Sequence, residues 1–130
     1  MSNGQIPPKA TGLLRLYKAF FYSLAGIRAT FRSEAAFRQE VIVLPISTLV
    51  AWLLPLPLAW SLWLTFGAVF LILMELVNTA IERIIDLVSP NFHPLAKEAK
   101  DIGSAIVLTA LIFYTTLWAL ALYLQYSPKL

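Results

Sequence analysis

From Val41 to Met74 the chain runs for thirty-four residues without a charged side chain. Nothing else constrains its fold as much, because an uncharged run of this length calls for lipid around it, and a span needs only about 20 apolar residues. Hydrophobic residues make up 59% of the 130, and charged residues only 13%. An ordinary soluble domain carries about 25% charged residues, so the composition is that of an integral membrane protein. The run is too long for one ordinary span, and Pro55 and Pro57 interrupt it within LLPLPLAW. Each proline removes a backbone donor and restricts the residue before it, so a turn between two helices falls there. Only fourteen uncharged residues then precede Pro55. That is short of a span, so the first one must begin near Ala35 and take Arg38 and Glu40 into its opening turns.

The resulting expectation is an all-α membrane protein. Residues 1–10, with Gly4, Pro7 and Pro8, read as a disordered lead-in, and 11–130 as a single membrane-embedded domain. Residues 11–32 mix Leu, Phe and Tyr with spaced Arg and Lys, which suits an amphipathic helix lying at the lipid surface. Spans are expected at about 35–54, 58–88 and 95–125, with SPNFHP forming the second loop. Nine of the ten Lys and Arg residues lie in the N-terminal segment, at the start of the first span, or from Arg83 to Lys100. By the positive-inside rule the N-terminus and the second loop face the cytoplasm, and the prolyl turn faces outward. The basic N-terminal stretch lacks the apolar core and small-residue cleavage site of a signal peptide, so it is expected to be retained. The net charge of +3 suits anionic headgroups or a phosphorylated ligand and gives no reason to expect nucleic acid. With no cysteine, the chain has no disulfide, thiolate metal site or cysteine nucleophile.

The uncharged run ends in ELVNTAIERIID, residues 75–86. At 3.6 residues per turn, Glu75, Asn78, Glu82 and Asp86 share one helix face, with Thr79 at its border. Carboxylates facing hydrocarbon cost several kcal/mol, so this stripe must face protein or water. Three spans are too few to seal such a cavity, which favours a homo-oligomer. Glu34 and Arg38 at the start of the first span, and Lys100, Asp101 and Ser104 at the start of the third, fall at a similar depth. Gly103 allows close helix approach there. Carboxylates with cations around them are what a hydrated magnesium carrying a polyphosphate needs. A polar zipper between helices and an ion or proton path are the competing readings. The chain has no GxxxxGK[ST] or GxGxxG loop and no Ser-His-Asp order, so the residues themselves lead no further than a metal-capable interfacial site. His93, between two prolines, reads equally as loop contact or ligand. The four Trp read as interface anchors.

EAAFRQE at 34–40, ELVNTAIERIIDLVSP at 75–90 and HPLAKEAKDIGSA at 93–105 resemble the small prokaryotic diacylglycerol kinases. The likeness covers roughly residues 11–125. It implies an amphipathic surface helix plus three transmembrane helices in the bacterial inner membrane, assembled as a homotrimer with active sites shared between subunits. It also implies transfer of the γ-phosphate of MgATP to diacylglycerol, giving phosphatidic acid. On the family's pattern Glu75 would be the general base, and Glu34 and Glu82 would hold the Mg2+ on the nucleotide. Arg15, Tyr22, Asn91, Phe92, His93, Lys100 and Asp101 match nucleotide contacts. Arg15, Ala19, Tyr22, Ser23, Arg28, Ala36, Arg38, Gln39, Glu75 and Ser104 match contacts of the lipid substrate, with Asn78, Asp86 and Gly103 in support. Leu24 and Ala25 stand where the best-known members carry tryptophan and lysine, and Ser33 where they carry asparagine. A related branch sharing the NTAIE and AKD motifs phosphorylates undecaprenol, which is the alternative acceptor.

Overall fold

The computed structural model describes residues 11–127, and the expected lead-in 1–10 lies outside them. Those residues form four helices: α1 (Gly12–Ser33), α2 (Ala35–Leu53), α3 (Leu58–Val88) and α4 (Pro94–Tyr126). There are no strands among the described residues, and α2, α3 and α4 are each long and apolar enough to cross a membrane.

Each junction has a local cause. Gly12 opens α1 at φ +61°, a left-handed conformation that a Cβ would strain. At the other end of α1, Glu34 turns extended while its N–H still bonds the Thr30 carbonyl. Arg38, one turn into α2, reaches back and donates through Nη1 to the carbonyls of Phe31 and Arg32, at 3.1 and 3.2 Å. Carbonyls that a helix end leaves without partners are thereby closed by a cation, which also suits the negative end of the helix. Pro57 closes the prolyl turn immediately before α3, and Pro94 opens α4 one residue ahead of the expected start. Pro suits a first helical position because its missing donor is not needed there. His93 completes the cap, its Nδ1 accepting from the Leu95 N–H at 3.2 Å. Pro45 lies within α2, which nevertheless continues past it. The residue lacks the donor for the carbonyl one turn earlier, a defect that buried or neighbouring groups can offset in membrane helices.

α3 packs against both α2 and α4. Its buried positions, from Ser61 through Leu64, Ala68 and Leu71 to Glu75 and Asn78, recur every three or four residues. They meet Phe37, Leu44 and Ala51 of α2, spaced by seven, and Gly103, Ala110, Tyr114 and Ala121 of α4. Small residues dominate this seam and let the backbones approach closely, as membrane helices require in place of a water-driven core. At Gly67 an added Cβ would lie 2.8 Å from Tyr114 Cδ2 and 3.1 Å from Leu117 Cδ1. Polar bonds tie the half of the bundle nearer the prolyl turn. Ser47 Oγ and the Tyr114 hydroxyl are 2.8 Å apart, Ser61 Oγ donates to the Ala51 carbonyl at 3.0 Å, and Trp52 Nε1 donates to Thr65 Oγ1 at 3.0 Å. The tryptophans therefore divide. Trp63 is exposed like an interface anchor, whereas Trp60 and Trp118 pack on the core.

Candidate active site

At about 1.5 Å per residue, the 31 residues of α3 extend about 46 Å, well beyond a hydrocarbon core of about 30 Å. Its last turns therefore project past the apolar layer at the end of the bundle where α1, the 89–93 loop and the start of α4 also lie. Glu75 marks that transition. It is buried, only 4% exposed, although the nine residues before it, Phe66 to Met74, carry no polar side chain. Asn78 and Thr79 are buried with it, Glu82 is half-buried and Asp86 is exposed. The stripe expected on one face of this helix thus turns inward at its membrane end and outward at its loop end.

Glu34 from the α1–α2 break, Glu40 from α2 and Glu82 from α3 all lie within Coulombic reach of the Glu75 carboxylate. Asn78 Nδ2 donates to Glu82 Oε1 at 3.5 Å, a long bond, while Asn78 Oδ1 is buried without a hydrogen-bond partner among the described residues. That oxygen lies against Gly103 of α4 so closely that no Cβ fits there. Thr79 Oγ1 returns its proton to the Glu75 carbonyl at 3.0 Å. Several carboxylates and a carboxamide, from two helices and the junction between α1 and α2, thus converge, and among the described residues no cation is bonded to any of them. Such a cluster is poised for positive charge, since like-charged acids sharing a site otherwise disfavour one another's ionisation. Among the described residues no three acids or histidines come together as a metal cage. Two protein carboxylates with the remaining oxygens supplied by phosphate and water is the arrangement Mg2+ prefers.

Beside this cluster, a cavity of about 490 Å³ opens between the end of α3 and the start of α4. It is lined by Asn91, Phe92, His93, Lys100 and Asp101, all matched to nucleotide contacts on sequence, and also by Asp86 and Lys97. Lys100 Nζ pairs with Asp86 Oδ1 at 2.5 Å, and Lys97 pairs with Asp101 at the same distance within α4. Ser89 Oγ donates to the Asn91 carbonyl at 3.0 Å and shapes the loop.

Other expected site residues do not join this assembly within one chain. Arg15, Ala19, Tyr22 and Arg28 are exposed along α1, Ala36 and Gln39 are exposed on α2, and Ser104 is exposed on α4. Arg38 closes the end of α1, as described, and Ser23 lines a separate cavity between α1 and α3. Two residues escaped the sequence reading. In the sequence Glu40 reads only as a charge at the start of a span, yet one of its carboxylate oxygens is buried without a partner among the described residues. Its signal was an acid with no basic residue one turn on. Arg83, which lines the α1–α3 cavity, carried no signal beyond being a cation within an acidic motif.

The fold and site define a helical protein with three membrane-length helices and a carboxylate-rich centre beside a cavity with Lys97 and Lys100 on its wall. Residues 21–122 match the family model for prokaryotic diacylglycerol kinase. A diacylglycerol kinase of Helicobacter pylori is 44% identical over 129 residues, covering 96% of this chain and 100% of that protein. One of Pseudomonas aeruginosa is 44% identical, covering 84% and 89%, and one of Escherichia coli K12 is 34% identical, covering 90% and 96%. The chain belongs to the prokaryotic diacylglycerol kinase family.

Proposed function

We propose that this protein is a lipid kinase that transfers the γ-phosphate of MgATP to the free hydroxyl of diacylglycerol, forming phosphatidic acid. The observation that carries this reading is the burial of Glu75 at the membrane end of a carboxylate cluster, next to a cavity with Lys100 on its wall. Glu75 takes the proton of the lipid hydroxyl as that oxygen attacks phosphorus, a role that needs a carboxylate at the depth where a lipid headgroup sits. Glu34 and Glu82 would hold the magnesium of the nucleotide, and Asn78 steadies Glu82 through its amide. Lys100 offsets phosphate charge and exchanges Asp86 for the nucleotide when it binds, with Asp101 and the Asn91–His93 loop around it. Phosphoryl transfer asks little more of a protein than such positioning and charge neutralisation.

The protein works as a homotrimer in the bacterial inner membrane with its N-terminus in the cytoplasm, α1 lying on the surface as an amphipathic helix. A neighbouring subunit would bring Arg15, Tyr22 or Ser104 to a site that one chain leaves open. Exposure of these residues and of much of the apolar surface in the single chain supports that assembly. The family resemblance also admits undecaprenol as the acceptor.

The test is transfer from labelled ATP to diacylglycerol and to undecaprenol, side by side in mixed micelles with magnesium, using Glu75→Gln as the blank. Product on diacylglycerol supports the proposal. Product on undecaprenol alone keeps the chemistry and reassigns the acceptor, and product on neither refutes the kinase reading.

A further inference from the structure

Separate from the nucleotide cavity, a pocket of about 470 Å³ lies between α1 and α3. α1 contributes Ser23, Gly26 and Thr30, and α3 contributes Leu76, Thr79 and Arg83. On α3 these positions form a face adjacent to the acidic stripe, with Thr79 on the border between the two. The size is that of a small-ligand site. The opening is real at its α1 wall, since a Cβ built on Gly26 meets nothing within 4 Å.

The chemistry of the walls is lopsided. Every hydroxyl proton in the pocket is already used within its own helix: Ser23 Oγ donates to the Ala19 carbonyl at 2.9 Å, Thr30 Oγ1 to that of Gly26 at 3.1 Å, and Thr79 Oγ1 to that of Glu75 at 3.0 Å. The remaining donor side chain is Arg83. Among the described residues the two ion pairs are Lys97–Asp101 and Lys100–Asp86, and Arg83 is in neither. It also makes no side-chain hydrogen bond there. A guanidinium without a carboxylate therefore stands beside an apolar slot, near the end of a membrane-length helix, where headgroups lie. A guanidinium fork matches two oxygens of one phosphate, and an apolar slot beside it matches an acyl chain.

We propose that the α1–α3 pocket binds the phosphate headgroup of an anionic phospholipid through Arg83. Diacylglycerol, which is neutral, offers Arg83 only a hydroxyl and ester carbonyls, and a zwitterionic headgroup carries its own cation, so the pocket selects for net negative charge. The inference stands on the pocket and its charge, independently of phosphoryl transfer, and binding alone tests it.

The full chain, purified in detergent, is incubated with phosphatidylglycerol, with phosphatidylcholine, or with phosphatidylglycerol plus millimolar inorganic phosphate, and lipid adducts are counted by native mass spectrometry. Wild type should retain phosphatidylglycerol over phosphatidylcholine, and Arg83→Gln should lose about tenfold in that retention, as expected for deleting a charge-assisted bond. Arg83→Lys should keep part of it. Gly26→Leu leaves Arg83 intact, fills the slot and removes a mid-helix glycine, so it should fold and still lose the lipid. Undiminished phosphatidylglycerol retention in either Arg83→Gln or Gly26→Leu would overturn the proposal. Displacement of the lipid by inorganic phosphate would overturn it as well, since the pocket would then be a free-anion site.

Discussion

Gly103→Ala separates packing of the bundle from the geometry of the site. The new Cβ would fall on Asn78 Oδ1, closer than real side-chain atoms approach. Alanine favours the helix over glycine by about 0.8–1.0 kcal/mol, while overpacking a buried contact costs about 1–3 kcal/mol. The net loss of stability is therefore about 0–2 kcal/mol, and the bundle should persist. Relief must come from Asn78, which is buried and bonded to Glu82, so the displacement is passed on to the cluster around Glu75. Misplacing a catalytic array by about 1 Å can reduce the rate on the order of 10²-fold. Gly67→Ala supplies the comparison, because its Cβ strikes the buried Tyr114 ring and Leu117 far from the carboxylates. It should lower the temperature of thermal inactivation in micelles more than Gly103→Ala, yet keep kcat per folded protein within about twofold of wild type. The assay is lipid phosphorylation at saturating ATP and acceptor, corrected for protein that remains monodisperse. If Gly103→Ala lost activity only in proportion to stability, or Gly67→Ala lost kcat as heavily, the coupling of Gly103 to the site through Asn78 would be refuted.

Replacing Lys100 by Met removes a solvent-screened ion pair, so stability should change little, whereas KM for ATP should rise severalfold in steady-state kinetics. Tyr114→Phe deletes the bond to Ser47 between α4 and α2 and should cost about 1 kcal/mol in unfolding experiments with kcat unchanged. Replacing both Leu13 and Leu14, exposed near the start of α1, with Asp should weaken turnover of lipid more than binding of nucleotide, and equal loss of both would argue against a surface role for α1.

Helix limits were legible because their signals are local. Pro55 and Pro57 mark the first turn, Pro90 and Pro94 flank the second loop, and the lack of room before Pro55 places the start of α2 at Ala35. The polar face of α3 was legible from spacing alone, since Glu75, Asn78 and Glu82 lie three or four residues apart. What periodicity does not carry is depth and partner. Nothing local distinguishes buried Glu75 from exposed Asp86 on the same stripe, because that difference arises from where α1, α2 and α4 cover α3. Gly103 was readable as a point of close approach, but its partner, Asn78, is fixed only by the register of α3 against α4. Glu40 and Arg83 depend likewise on contacts between elements. Pro45 is the converse, a strong local breaker that the continuing helix overrides in a segment apolar enough to span a membrane.

The role proposed for Glu75 is to take the proton, which differs from merely binding nucleotide or holding the fold. The most direct measurement compares kcat for diacylglycerol with ATP affinity in wild type and Glu75→Gln, a near-isosteric change that keeps hydrogen bonding and removes the base. In the variant kcat should fall by about 10²–10⁴-fold while ATP affinity and thermal stability stay close to wild type. A variant that retains kcat, or loses activity only through weaker ATP binding, would contradict it.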